Sequence, residues 1–456
     1  MSDTPESPAQ APTVRIRSSA WVFAAQVGKT ALSIPVGILL ARILGPSGKG
    51  AVSVVQTVAA MAVALLNLGM PSAVMWLAAR GRASAKGSLA LGGIFAAGAI
   101  SLAGAAVLLF GPKAAAARIG LESPLLLAFA AAAIVPSMMG YFSDHYLLGR
   151  GAIRGMAIAD VAALAGQLAI LGVLAVTGTL TVGSAVLVWL ATASGSVLYK
   201  SWLAMRTGAG DGRGEHAGVR AIVRDGRAYA IKAWLGNTVN LLSLRQDVLL
   251  LAALGGTREV GVYSVGVAAA ELAWYIPNAL QSVATVKFAS EDDSLELVQR
   301  LNRSAWPFTL VFGLVILAVL GPLIPLVYGA PFSASVLPLA LLLPGVVATS
   351  MSSPLSAWLS GKGYPGDPAA ANVVNMLVNL GVNILLIPRF GAAGAAIASS
   401  ISYSAASAVI LWRFRLRSGS RLSPALVPRW ADLRSMAGLI SDVLLRRFRG
   451  DDRASR

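Results

Sequence analysis

Cysteine is absent from all 456 residues. That excludes disulfides, thiol chemistry and thiolate metal sites. Histidine is almost absent, with only His145 and His216, too few for a histidine-based metal centre. Charge is scarce: 12% of residues are Asp, Glu, Lys or Arg, where a soluble domain carries about 25%. No Ser-His-Asp set or paired-carboxylate motif is found. The Gly28-Lys29 and Gly48-Lys49 dipeptides stand outside the Gly-x-x-x-x-Gly-Lys-Ser/Thr frame of a phosphate loop. Asp144-His145 is a lone dyad and reads as an interfacial polar pair. The chain is therefore expected to be no enzyme, to hold no metal or cofactor, and not to run on ATP by itself.

What fills the sequence is apolar. Hydrophobic residues make up 56% and the mean hydropathy is +0.71. Twelve apolar segments follow one another at 20–43, 50–70, 87–110, 122–145, 152–176, 181–203, 228–254, 260–286, 303–327, 335–360, 365–387 and 394–414. Each is long enough to span a hydrocarbon core, which takes about 20 residues. Each must be helical, because lipid cannot satisfy an open backbone. Pro35, Pro136, Pro277 and Pro344 predict kinks. The first 17 residues are polar and lack a small-residue cleavage site, so they read as a cytoplasmic tail rather than a signal peptide.

The chain repeats itself. Leu44-Gly45-Pro46-Ser47-Gly48-Lys49-Gly50 is answered by Leu254-Gly255-Gly256-Thr257-Arg258-Glu259-Val260-Gly261, 210 to 211 residues later. Tyr146-Leu147-Leu148-Gly149-Arg150-Gly151 is answered by Trp358-Leu359-Ser360-Gly361-Lys362-Gly363 at offset 212, where Asp160 also meets Asn372 and Gln167 meets Asn379. Paired halves in a membrane chain point to a transporter with a site between them. The expected fold is an all-α polytopic membrane protein, with about twelve transmembrane helices in two pseudo-symmetric six-helix bundles around a central cavity. The expected parts are a tail at 1–17, a lobe at 18–203, a basic linker at 204–227, a second lobe at 228–414 and a basic tail at 415–456. In that last tail Trp430, Leu433, Met436, Ile440 and Leu444 recur at helical spacing, which suits either a helix lying on the leaflet or a partly disordered tail.

Basic residues fix an orientation. With the N-terminus inside, 28 of the 37 Lys and Arg fall on the cytoplasmic side, Lys200 among them, six fall outside, and Lys29, Lys232 and Arg245 lie within spans. This agrees with the positive-inside rule and places both termini in the cytoplasm. It also explains the net charge of +17 by topology and attraction to anionic lipid, with no nucleic acid as partner.

Ionisable groups at bilayer depth cost at least about 2.5 kcal/mol, so each needs a reason. Gln26, Lys29, Thr30 and Ser33 share a face of the first span. Arg245 and Asp247 are two residues apart and point to nearly opposite sides of the seventh. One charge can thus face the lumen while the other is locked in its own lobe. Glu271 lies in the partner hairpin, within reach of Arg245. Asn372, Asn375, Asn379 and Asn383 form an amide stripe along the eleventh span, and Asp160 with Gln167 form its counterpart on the fifth. Such amides either glue helices together or line a cavity for a hydroxyl-rich substrate.

These residues carry a resemblance. Leu44-Gly45-Pro46-x-Gly48-x-Gly50, Asn67-Leu68-Gly69-Met70-Pro71-Ser72, the run from Asp247 into Gly261-Val262-Tyr263-Ser264, and above all Leu385-Leu386-Ile387-Pro388-Arg389-Phe390-Gly391-Ala392-Ala393-Gly394 resemble polysaccharide flippases of the Wzx type. Those belong to the multidrug/oligosaccharidyl-lipid/polysaccharide exporter superfamily. The resemblance spans about residues 18–414. It implies a flippase of the bacterial cytoplasmic (inner) membrane, moving undecaprenyl-diphosphate-linked oligosaccharide outward by ion-coupled alternating access in cell-surface polysaccharide biosynthesis. Glycosyltransferases and a polymerase of the same pathway are implied partners. On this reading Lys29 and Arg245 hold the diphosphate, and Gln26, Gln167, Asn240, Asn375 and Asn379 meet the sugar. Asp247, Glu271 and Asp160 are the candidates for carrying Na⁺ or H⁺. The rival readings are a multidrug exporter of the same superfamily, which intramembrane basic residues disfavour, and a membrane-embedded glycan polymerase or ligase, which short outer loops disfavour.

Overall fold

The computed structural model describes residues 16–121, 123–208, 218–274 and 295–429, with side chains described from residue 28 onward. Every regular element among the described residues is helical. In the first half these are α1 (Ile16–Leu66), α2 (Met70–Ala79), α3 (Ala85–Phe110), α4 (Pro112–Arg118), α5 (Pro124–Gly149), α6 (Ile153–Val176) and α7 (Val182–Gly208). The second half adds α8 (Val219–Gly255), α9 (Thr257–Glu271), α10 (Leu295–Tyr328), α11 (Val336–Ser350), α12 (Ser353–Gly361) and α13 (Gly366–Ser418).

Nine helical stretches among the described residues are long and apolar enough to cross a membrane. Two of them are double. α1 bends at Gly45 (φ 66°, ψ −174°) and α13 at Gly391 (φ 53°, ψ −129°), at the connections between the first and second and between the eleventh and twelfth expected spans. Both bends use a positive φ, which glycine adopts without a Cβ penalty. Of the eighth expected span, 260–286, α9 covers the first part; Pro277 and the rest lie outside the described residues. Pro35, Pro136 and Pro344 sit inside α1, α5 and α11 without ending them. α7 runs on to Gly208 and α8 begins at Val219, so both ends of the expected linker at 204–227 are helical. Its middle, residues 1–15 of the N-terminal tail and the candidate interfacial helix from residue 430 onward lie outside the described residues.

The outside of the bundle is apolar, as a lipid-facing surface must be. Leu108 and Val176 are 88% and 91% exposed. The repeat is visible in how the lobes touch. A Cβ at Gly50 would run into the carbonyl of Thr257, and a Cβ at Gly261 into the carbonyl of Pro46. Gly50 pairs with Gly261 and Pro46 with Thr257 at one offset of 211, so the two glycine-rich turns interlock reciprocally. Each needs glycine because a backbone carbonyl occupies the place of its side chain. The lobes meet again at a second level. Gly69 lies against the carbonyl of Ala230, the Trp234 indole donates to the Ala64 carbonyl (3.1 Å), and Thr238 donates to the same carbonyl (3.1 Å). From Gly50 to Gly69 is 19 residues, roughly 28 Å of helix.

Candidate functional site

Between those two levels of contact lies a hollow with a mixed polar and apolar lining. One part, about 400 Å³, is lined by Gln56 of α1, Asn67 in the turn after it, Tyr141 of α5, Trp189 of α7, and Asn237 and Asn240 of α8. An adjoining part, about 330 Å³, is lined by Ser53, Gln56 and Thr57 from α1 and by Arg245, Asp247 and Glu271 from α8 and α9. Both lobes therefore contribute, and Gln56, Ala60 and Leu241 border both parts.

Arg245 reaches Glu271 at 3.7 Å, and their side chains are 45% and 42% exposed. A guanidinium has five donors in a planar fork, so one long contact leaves most of its capacity facing the hollow. Asp247 behaves oppositely. It is buried, and its Oδ2 accepts from the Tyr263 hydroxyl at 2.5 Å and from Ser399 Oγ at 3.4 Å, while its Oδ1 accepts from the Val248 amide at 2.8 Å. No Lys or Arg among the described residues lies within ion-pair distance of it.

The amide stripe on α13 divides by depth. Asn379 Oδ1 accepts from Gln246 Nε2 (3.0 Å) and Asn383 Nδ2 (2.8 Å), and its Nδ2 donates to Ser399 (3.3 Å) and Ser402 (3.4 Å). That is the full capacity of a carboxamide, so Asn379 ties α8 to both limbs of α13 and has nothing left for a sugar. Asn375 faces a different space, a polar pocket of about 360 Å³ inside the C-terminal lobe, which Asn240 and Asn372 also border. Gln167 is buried within α6 and borders neither the hollow nor this pocket. The side chain of Gln26 lies outside the described residues.

Lys29 and Arg245 are not brought to one place. Lys29 forms an ion pair with Asp160. Lys200 bridges Asp160 (2.5 Å) and Asp144 (2.8 Å). Two lysines and two aspartates thus neutralise one another among α1, α5, α6 and α7. Three sequence expectations change. Lys200, counted among the cytoplasmic-side cations at the end of the sixth expected span, is 4% exposed and central to this cluster. Asp144 is an ion-pair partner rather than half of a dyad with His145, whose Nδ1 meets the Tyr141 carbonyl (2.8 Å). Asp160 holds two ammonium groups, which leaves it little room to take up an ion.

The sequence reading missed Gln56 and Asn237 in the hollow, and Trp274, Tyr403 and the Thr349–Ser356 hydroxyls in the pocket. The run Thr349-Ser350-Met351-Ser352-Ser353-Pro354, polar at the middle of an apolar span, was the available signal.

The fold is shared with solved transporters. A lipid II flippase MurJ in an inward closed conformation superposes with a TM-score of 0.69 at 13% identity, over 97% of this chain and 94% of its own. A MATE-family multidrug resistance transporter of the MOP superfamily, inward-facing, superposes at 0.61 with 17% identity, over 86% and 94%. A MOP superfamily transporter from Pyrococcus furiosus superposes at 0.55 with 17% identity, over 89% and 95%. None of the curated proteins matches the sequence. Residues 16–288 match the family model described as polysaccharide biosynthesis protein. This multi-pass membrane protein, built on the fold of the MOP superfamily, therefore belongs to the polysaccharide biosynthesis protein family.

Proposed function

We propose that the protein is a secondary flippase that carries a polyprenyl-diphosphate-linked oligosaccharide, of the undecaprenyl type, from the inner to the outer leaflet of a bacterial cytoplasmic membrane. The observation that carries this reading is the half-exposed Arg245 on the wall of a hollow lined by amides and hydroxyls from both lobes. A diphosphate needs a cation in a low-dielectric site, and guanidinium matches phosphate oxygens bidentately. The amides Gln56, Asn237 and Asn240 suit sugar hydroxyls, and the polyprenyl tail can remain in lipid. The MurJ neighbour is a lipid II flippase, a substrate of the same chemical class, which supports the reading by analogy of fold.

Coupling to Na⁺ or H⁺ falls to Asp247 and Glu271, and Asp160 serves as the clamp of the ionic cluster. Within the pathway, glycosyltransferases supply the substrate and a polymerase consumes it. The two levels of inter-lobe contact are natural gates, since opening either one exposes the hollow to one side only.

The test is flipping in proteoliposomes carrying a polyprenyl-diphosphate oligosaccharide, read by lectin accessibility of the sugar. Arg245→Ala is expected to slow flipping by about tenfold or more, the equivalent of losing one charge-assisted hydrogen bond to a phosphate, and Arg245→Lys by less. Wild-type vesicles that flip no faster than protein-free ones would sink the proposal.

A further inference from the structure

The pocket inside the C-terminal lobe is separate from the ionic cluster and adjoins the central hollow along Asn240 and Leu244, and its Trp274 and Tyr403 also border a small space next to Arg245 and Glu271. Its volume, about 360 Å³, lies at the small end of the roughly 300–1,000 Å³ typical of small-molecule sites. Among the described residues, no Asp, Glu, Lys or Arg lines it. Its walls are hydroxyls from Thr349, Ser352 and Ser353, amides from Asn372 and Asn375, and the rings of Trp274 and Tyr403, whose centroids are 5.5 Å apart.

Two atoms there lack partners. Asn375 is only 6% exposed, and its Oδ1 is buried with no hydrogen bond; the Trp274 Nε1 is likewise buried and unpaired, among the described residues. One is an acceptor and the other a donor. A buried polar group left unpaired is costly, and a hydroxyl satisfies both kinds, since it donates and accepts.

We infer that this pocket is a carbohydrate subsite that takes one uncharged sugar unit. An aromatic wall suits the C–H face of a pyranose, and the hydroxyl and amide wall suits its O–H edge. A uronate or other acidic sugar is rejected, because its carboxylate would be desolvated with no cation in the wall. The inference rests on the flippase reading for its biological meaning and gives that reading a specificity: the repeat unit carries a neutral sugar at the position that reaches this pocket.

The experiment uses the full chain in nanodiscs, with methyl α-glucoside, methyl α-galactoside, methyl α-mannoside and methyl N-acetylglucosaminide as probes and methyl glucuronide as the acidic control. Binding is read by saturation-transfer NMR. At least one neutral glycoside is expected to bind, and the glucuronide about tenfold more weakly or not at all. Asn375→Leu and Trp274→Phe are each expected to weaken the neutral glycoside by about tenfold, since a site built to pair a hydroxyl loses most when its partner is removed. Trp274→Phe keeps the ring and decides the matter should Asn375→Leu fail to fold. Absence of binding by every neutral probe, equal binding of the glucuronide, or binding unchanged in the folded variants would each overturn the inference. Binding is read without lipid-linked substrate or gradient, so a failure here is distinguishable from a failure of flipping in vesicles.

Discussion

Asp160 and Asn372 hold matching places in the two halves of the repeat, and so do Gln167 and Asn379, yet the lobes hold their polar interiors together by different means. The N-terminal lobe uses opposite charges: Lys29, Asp160, Lys200 and Asp144 form a neutral set. The C-terminal lobe uses amides and hydroxyls around Asn379. A lone carboxylate, Asp247, is set among them and partnered by Tyr263 and Ser399 rather than by a base. On the proposed flippase reading, the difference divides structure from working parts. Where the charges cancel, none is left over to bind a moving ligand. On the same reading, the coupling ion binds where a carboxylate is held by hydroxyls and an amide instead of a base. The repeat conserves helix places and close-packing glycines, and the chemistry at those places is free to diverge.

The comparison breaks most easily at Lys200. Replacing it by Leu leaves Asp144 without its ion-pair partner and Asp160 with Lys29 alone. The expected loss is about 3 kcal/mol of stability, the lower end for breaking a buried pair, since both carboxylates keep some exposure. Unfolding of the detergent-purified protein checks this. A loss no larger than that of Lys29→Ala would remove Lys200 from the centre of the cluster.

On the amide side, Asn379→Leu removes four hydrogen bonds, leaving Gln246 with only its bond to the Met376 carbonyl and Asn383 Nδ2 without its partner. About 2 kcal/mol of destabilisation is expected, from the desolvation of partners left unpaired. Glycoside binding at the Asn375 pocket should stay as in wild type, because Asn379 borders the network and not that pocket. A folded variant with normal stability would mean that the stripe is not glue at this depth.

Asp247→Asn sharpens the contrast in function. The amide oxygen can still accept from Tyr263, so stability should shift by no more than about 1 kcal/mol. Flipping in vesicles should lose its response to an imposed Na⁺ or proton gradient. A variant that keeps its gradient response would transfer the coupling role to Glu271.

Much of this was legible beforehand, for physical reasons. Hydropathy marks spans because lipid tolerates no unpaired backbone, and the glycine turns betrayed the repeat because a carbonyl takes the room of a Cβ. The one-dimensional pattern could not tell which side of a polar helix meets which neighbour. Helical periodicity put Asn375 and Asn379 on one stripe, but one faces a pocket and the other a saturated network. Lys200 counted simply as a cytoplasmic-side cation because it lies near the end of its expected span, 181–203, whereas α7 runs on to Gly208. Only the tertiary arrangement shows two aspartates from other helices waiting for it. Gln56 and Trp274 carried no sequence signal, since single polar or aromatic residues in spans are ordinary.

Lys29 is the finest test of the comparison, because sequence and structure assign it different work. As an isolated intramembrane lysine it reads as an anion site. In the fold its ammonium is paired with Asp160, and its side chain is 36% exposed. Lys29→Ala leaves Asp160 still held by Lys200 at 2.5 Å, so the stability change should be no more than about 1 kcal/mol, as for a partly exposed ion pair. Flipping should be nearly unchanged, while Arg245→Ala abolishes most of it. If instead Lys29→Ala stopped flipping in a folded protein, and Lys29→Arg restored it, the ion pair with Asp160 would have to open during the cycle. The N-terminal cluster would then be a store of cations for the diphosphate, and the division between a structural lobe and a working lobe would fail.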